Sequence, residues 1–214
     1  MTSQREPYAH KAEGGPDPFA RAQEDARRRL PPGGGPIFNS VPPVILVLCA
    51  LILGLQALDS LSLASDGRFH SWLWSLGALT TGDAADLAGG QSASALVLHV
   101  FVHGGWVHAG MNTAALLAFG AAAARPFGPH AAGVSGFLAF FFLCALAGSM
   151  MHLFTQGLGS TVMVGASTAV SGVLAAAGWA RGGRVGMAQL AVPWALINIA
   201  LAVTGVFAPL PVAW

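Results

Sequence analysis

Ser167 is the residue of this sequence that is best placed for nucleophilic chemistry. It lies near the start of an uncharged apolar run, within Gly165-Ala-Ser-Thr-Ala-Val-Ser-Gly172. A serine at a helix N-terminus lies beside free backbone N–H groups, which stabilise negative charge. A packing role also fits, because Ser167, Ser171 and Ala175 form the small-xxx-small face that brings membrane helices close together. Spacing alone favours packing over catalysis.

An imidazole and an amide upstream of this serine are spaced to act together. His108 and Asn112 are four residues apart in His103-Gly-Gly-Trp-Val-His108-Ala-Gly-Met-Asn112, so on a helix both face the same way. Two donors directed at one point could stabilise the oxyanion of an acyl-transfer reaction. Alternatively, both side chains hydrogen-bond neighbouring helices, since a polar group in a bilayer costs free energy unless it is paired or hydrated.

A haem or metal site is a further interpretation of the histidines. His99 and His103 are four residues apart, His152 lies in another apolar run, and imidazoles on membrane helices can ligate haem. However, His103 and His108 would point apart by about 140° on a regular helix. No His-Glu-x-x-His motif is present, and no carboxylate or thiolate stands beside these histidines. We therefore predict no metal and no cofactor.

The scarcity of charge places these residues in a membrane. Only 9% of the 214 residues are charged and 54% are hydrophobic, whereas about a quarter of a soluble domain is charged. No Asp, Glu, Lys or Arg occurs in residues 87–124, 126–180 or 185–214. Because about 20 apolar residues cross a ~30 Å hydrocarbon core, we predict an integral membrane protein. The net charge of +1 and the unclustered basic residues give no sign of nucleic-acid binding, and Cys49 and Cys144 are interpreted as apolar packing residues.

Five membrane-spanning helices are predicted after a disordered cytoplasmic tail. The tail, residues 1–40, is rich in Pro and Gly and holds 6 of the 10 basic and 5 of the 9 acidic residues, so it cannot bury enough apolar surface to offset its ordering entropy. Residues 64–94 contain Trp72 and Trp74 and are predicted to be an interfacial excursion, because tryptophan prefers the headgroup level. The predicted spans are residues 43–58 with an extension to 63, 107–124, 134–155, 165–180 and 186–207.

Loop charge predicts the orientation of these spans. A cytoplasmic N-terminus puts nine of the ten basic residues on the inner side and leaves only Arg68 outside, in agreement with the positive-inside rule. The second and fourth spans then enter from outside. His103, His108 and Asn112 are therefore predicted to lie at the same depth as Ser167, near the outer face.

The motifs around these residues resemble the rhomboid family of intramembrane serine proteases. Residues 103–112 match the family's His-x4-His-x3-Asn pattern, and Gly165-Ala-Ser167 resembles its Gly-Ala-Ser-Gly motif. Residues 124–128 and 145–152 also resemble family sequence at corresponding places, and the resemblance covers about residues 41–214 as one membrane domain. It implies an all-α, polytopic bundle of six membrane helices, of which this chain supplies five.

The resemblance also implies an activity and a role for each polar residue. The family cleaves single-span membrane proteins in or near the bilayer with a Ser–His dyad that opens to the outer aqueous side, and it needs no metal. Ser167 would be the nucleophile, and His108 and Asn112 would line the oxyanion hole with the Ser167 backbone N–H. His103 would be a supporting residue near the outer face.

Four departures from the family pattern affect what this chain can do. The family's base is a histidine on the sixth span in an Ala-His-x-x-Gly setting, but no histidine follows His152. Thr168 stands where glycine usually follows the nucleophile, and Ser171 stands where an aromatic residue often packs on the base. Ser94-Ala95 occupies the place of the usual Trp-Arg pair.

The missing base predicts a nearly inert chain, because a serine hydroxyl is a weak nucleophile until a base takes its proton. We expect either a truncated form or a pseudoprotease. Truncation is favoured, because Trp214 falls where the sixth span should start and five spans leave an odd count. The alternative function is a non-catalytic binder of membrane helices.

Overall fold

The structure, a computed structural model, describes residues 41–82, 93–156 and 160–204. The described residues are mostly helical, which confirms the predicted all-α membrane bundle. Three predictions fall partly or wholly outside them: the disordered tail, residues 83–92 of the excursion and residues 205–207 of the fifth span. In chain order the elements are α1 (Pro43–Leu63), α2 (Arg68–Gly77), β1 (Leu79–Thr81), α3 (Ala95–Leu98), α4 (Trp106–Ala124), α5 (Ala131–Gln156), β2 (Thr161–Met163) and α6 (Ser167–Thr204), with 3₁₀ turns at His99–Phe101 and Arg125–Phe127.

Three helical segments are long and apolar enough to cross a membrane. They are Pro43–Leu63, Trp106–Phe127 and Ala131–Thr155, and they coincide with the first three predicted spans. The first begins with Pro43 in its opening turn, where the missing N–H of proline has no cost. Within the described part of the chain, α6 is not among these segments, so the count of five spans remains a prediction.

α6 covers most of the fourth and fifth predicted spans, as the two arms of a hairpin. Gly182 and Gly183 have non-helical backbone angles and separate a first arm, residues 167–181, from a second arm, residues 184–204. The arms meet closely near the break, because a Cβ on Gly178 would lie 2.6 Å from the carbonyl oxygen of Gly186. Farther along, the Trp194 indole donates to the Ser171 hydroxyl over 2.9 Å. The two arms are therefore antiparallel.

The first arm of α6 is at the centre of the bundle. Small and β-branched residues one, three or four positions apart on it are fully buried: Ala169, Val170, Val173 and Ala177. Its Gly172 lies against Cys144 of α5, where a Cβ would come within 2.3 Å of Cys144 Sγ. α1 and α4 meet in the same way, with Gly120 against Ile45. Residues without a side chain allow this close approach of helices.

The segment between α1 and α4 does not form another spanning helix in its described part. α2 is only 10 residues long and carries Trp72, which is 55% exposed. It is held to the end of α1 by a 2.8 Å contact between His70 Nδ1 and a carboxylate oxygen of the buried Asp59. β1 then pairs antiparallel with β2, with Leu79 opposite Met163.

Candidate active site

Ser167 is the first residue of α6, and the residues before it are held by long-range contacts. β2 leads through Val164, Gly165 and Ala166 to Ser167, and the Gly165 N–H donates to the His99 carbonyl oxygen over 2.8 Å. This bond joins the start of α6 to the 3₁₀ turn that precedes α4. The start of α6 and the start of α4 therefore lie at the same end of the bundle.

Gly165 is required by both its backbone angle and its surroundings. Its φ is +101°, a conformation that side-chain-bearing residues rarely adopt. A Cβ at this position would also lie 2.3 Å from Cε1 and 2.5 Å from Nε2 of His108. The chain before the serine therefore passes directly against the imidazole of His108.

Three of the four predicted site residues line one pocket. Ser167, His108 and Asn112 border the same small pocket. Its remaining lining residues come from α4 and the second arm of α6: Met111, Trp194, Ile197 and Asn198. The pocket thus places a hydroxyl, an imidazole and an amide around one space with apolar walls.

The imidazole and the α4 amide of this pocket lie on the same helix. Asn112 Nδ2 donates to the His108 carbonyl oxygen over 3.0 Å, and an amide group has two N–H donors. His108 and Asn112 are 7% and 4% exposed. Two nearly buried donors on one helix face, next to the N-terminus of α6, form an arrangement that can stabilise an anionic oxygen.

His103, the fourth predicted site residue, is not among the pocket's lining residues. It lies behind His108, with ring centroids 5.1 Å apart in an edge-to-face arrangement. Burial lowers the pKa of His103 to about 3, and the nearby His108 contributes in the same direction. His103 is therefore a neutral, buried neighbour of the pocket's imidazole.

The expectation that His103 and His108 point apart is wrong. That expectation assumed one regular helix, but α4 begins at Trp106, after Gly105 with φ +143°. His103 therefore precedes the helix, and the chain turns its ring back toward His108. Within residues 41–82, 93–156 and 160–204, no group of three or more His, Cys, Asp or Glu side chains could hold a metal ion.

Thr168 and Ser171, two departures from the family pattern, contact α5 and the second arm of α6, respectively. Thr168 packs against Gly148 of α5, where an added Cβ would lie 2.3 Å from Thr168 Cγ2. Ser171 donates to the Ser167 carbonyl oxygen over 2.7 Å and accepts from Trp194. Thr168 and Gly172 thus form the part of α6 that packs closely against α5, whereas Ser167 lines the pocket.

His99 is a polar residue of this region that sequence reasoning considered only as a haem ligand. Its side chain is fully buried and contacts Ala95, Ser149 and Thr168. The signal in the sequence was a histidine in an uncharged apolar run, one helical turn before His103. Its partners Ser149 and Thr168 are distant in sequence, so spacing did not reveal the contact.

Comparison with known proteins identifies a family. The family model described as Rhomboid domain matches residues 90–214, which include every residue of the pocket. No curated protein and no solved structure matches the chain.

Proposed function

The chain belongs to the rhomboid family, whose members act on membrane-protein substrates in the bilayer, and we propose that its pocket is that of an intramembrane serine endopeptidase. The observation that carries this proposal is the common pocket of Ser167, His108 and Asn112. We propose single-span membrane proteins as substrates, because a peptide bond must reach a pocket set between membrane helices.

Ser167 Oγ would attack the scissile carbonyl carbon, and its proton would pass to a base. The carbonyl oxygen becomes an oxyanion, which His108, Asn112 and the Ser167 backbone N–H would stabilise by donating hydrogen bonds. Donors of this kind contribute roughly 10²–10³-fold each in rate. His103 would support the imidazole of His108 from behind, across their edge-to-face contact.

The proposed base is not among these 214 residues. No histidine follows His152, and His108 is the only imidazole among the described lining residues of the pocket. The N–H and the basic nitrogen of one imidazole point in different directions, so a ring that donates to the oxyanion does not also present its basic nitrogen to the serine hydroxyl. Loss of the base costs on the order of 10⁶-fold in a well-studied serine protease. We therefore propose that the 214-residue chain hydrolyses peptide bonds extremely slowly.

Fluorophosphonate labelling tests the nucleophile and the base together. The 214-residue chain would be compared with a chain extended by a membrane helix that carries Ala-His-x-x-Gly. The extended chain is expected to be labelled at Ser167, the Ser167→Ala variant to be unlabelled, and the 214-residue chain to be labelled slower by several orders of magnitude. Labelling that survives Ser167→Ala, or an extended chain that stays unlabelled, would refute the nucleophile assignment.

The absence of a second imidazole in the described pocket favours one further candidate, a non-catalytic binder of membrane helices. In this case a membrane-helix partner would co-purify equally with the parent chain and with Ser167→Ala. A bulky change in the pocket wall, Ile197→Trp, would weaken that binding. Retention of the partner by the chain extended with the Ala-His-x-x-Gly helix, with no cleavage over days, would favour this candidate over the endopeptidase.

We also propose that the N-terminus is cytoplasmic and that the pocket opens near the outer face. Nine of the ten basic residues lie on one side in this orientation. In a chain whose native cysteines are replaced, His10 and Ser65 can each be changed to cysteine, one at a time. Intact cells are then treated with a maleimide that does not cross the membrane. Reaction at residue 65 and protection at residue 10 are expected, and the reverse pattern would invert the orientation.

A further inference from the structure

We propose that His99 is a positioning residue that acts through Thr168 to hold the first turn of α6, so that the side chain of Ser167 faces the pocket. The inference rests on the proposed function for the role of Ser167 as a nucleophile. The contacts that carry it do not depend on any reaction.

Both ring nitrogens of His99 contact other residues. Nδ1 lies 3.1 Å from the Ala95 carbonyl oxygen and 3.3 Å from Ser149 Oγ, while Nε2 lies 3.2 Å from Thr168 Oγ1. The side chain is 0% exposed. These contacts link the segment before α4 to both α5 and α6 through one imidazole.

These partners fix the tautomer of His99. A carbonyl oxygen only accepts, so Nδ1 carries the proton and donates to Ala95. The Ser149 hydroxyl donates to the Leu96 carbonyl oxygen over 2.8 Å, which leaves its oxygen able to share the Nδ1 proton. Nε2 is therefore unprotonated, and the Thr168 hydroxyl donates to it. Burial lowers the pKa of His99 to about 4, so the neutral ring is the form present at neutral pH.

The same residue holds the chain on both sides of Ser167. The backbone carbonyl of His99 accepts from the Gly165 N–H over 2.8 Å, two residues before the serine. The side chain of His99 contacts Thr168, one residue after it. Ser167, which lines the pocket, therefore lies between two attachments to one buried histidine.

Gly148 gives Thr168 the space to make this contact. A Cβ at residue 148 would lie 2.3 Å from Thr168 Cγ2 and 3.2 Å from Thr168 Oγ1. The threonine methyl thus occupies the space that a side chain on α5 would need, and its hydroxyl is directed to His99. Thr168 is accordingly turned away from the pocket, and its bulk does not obstruct Ser167.

Nitrogen-15 NMR of histidine-labelled protein in detergent micelles tests the contact itself. The 214-residue chain is expected to show His99 as a neutral Nδ1–H tautomer with a hydrogen-bonded Nε2. Thr168→Val keeps the shape of the side chain but removes the hydroxyl, so the Nε2 resonance should move to the position of an unbonded acceptor. Thr168→Ser should leave it unmoved. An Nε2–H tautomer, or the same spectrum for the valine and serine variants, would overturn the proposal.

Alkylation of a Ser167→Cys chain by iodoacetamide tests the consequence for the pocket, with the labelling of native cysteines subtracted. Thr168→Val is expected to slow alkylation about two- to tenfold, because the net free energy of one neutral hydrogen bond corresponds to a factor of this size. Thr168→Ser should restore the rate, and His99→Phe combined with Thr168→Val should be no slower than Thr168→Val alone. Equal rates for the valine and serine variants would overturn the positioning role. Neither measurement needs hydrolysis, so an inactive enzyme would not obscure the result.

Discussion

Gly148→Ala is the substitution that most directly tests the close contact between α5 and the start of α6. In an isolated helix this change is favourable by about 1 kcal/mol, because glycine has more conformational freedom to lose than alanine. In this chain the added methyl would lie 2.3 Å from Cγ2 and 2.5 Å from Cβ of Thr168. Because ordinary contact begins at 3.4 Å, either the helices separate by about 1 Å or the threonine rotates.

The expected cost follows from these alternatives. Overpacking of a filled site typically costs about 1–3 kcal/mol. Rotation of Thr168 would also remove its hydrogen bond to His99, at about 1 kcal/mol. The gain in helix propensity offsets about 1 kcal/mol of this total. We therefore expect Gly148→Ala to lower the free energy of unfolding by about 1–3 kcal/mol.

A second substitution should reverse the sign of this effect. Thr168→Gly removes both atoms that the new methyl would meet, so in that background Gly148→Ala should be neutral or stabilising by up to about 1 kcal/mol. Gly54→Ala is the matched control, because Gly54 also lies inside a membrane helix but a methyl added there would have nothing within 4 Å. It should show the propensity gain alone.

The free energy of unfolding of each of four proteins can be measured in mixed micelles. The mole fraction of a denaturing detergent is increased, and helicity is followed by circular dichroism. The parent chain, the two single variants and the double variant form a double-mutant cycle with an expected coupling of about 1–4 kcal/mol. A coupling near zero would refute the close packing of Thr168 on α5.

Three further predictions concern the residues around the pocket. Gly165→Ala should destabilise the protein by about 1–3 kcal/mol, because alanine would have to adopt a φ of +101° and its methyl would meet the His108 ring. The variant should also close the pocket to thiol or serine reagents, and wild-type stability and reactivity would contradict this prediction. Because His103 has a folded-state pKa of about 3, below its unfolded value near 6.5, the unfolded state binds the proton first as the pH falls. Below pH 6.5, His103 should lower the unfolding free energy by about 1 kcal/mol per pH unit, in addition to the contribution of the buried His99, and His103→Phe should remove only its own share of that slope. Trp194→Phe removes the indole donor to Ser171 and should lower stability by about 1 kcal/mol, with no loss expected in a Ser171→Ala background.

The helical framework could be predicted from the sequence because hydropathy and charge are properties of short segments. The first three predicted spans coincide with helices long and apolar enough to cross a membrane. Even the short α2, with Trp72 exposed, lies inside the predicted excursion. The predicted order of spans put the starts of the second and fourth spans at the same depth in the membrane. In the structure, His108 and Ser167 line one pocket.

The details of the site could not be predicted, because they depend on residues far apart in sequence. The prediction that His103 and His108 diverge was wrong, since a helix boundary at Trp106 separates them. Thr168 stands where the family usually has glycine, and the contact with His99 that orients it spans 69 positions of the chain. Such contacts leave no periodic pattern in the sequence.

The sequence by itself determined a helical membrane protein with a serine, an imidazole and an amide at one depth, because the cost of placing polar groups in hydrocarbon constrains each segment separately. The tertiary structure alone decided which way each side chain turns: Ser167 into the pocket, and Thr168 toward Gly148 and His99. The physical reason is that rotation about a helix axis is set by close packing between helices, and here that packing depends on glycines whose neighbours lie on other helices.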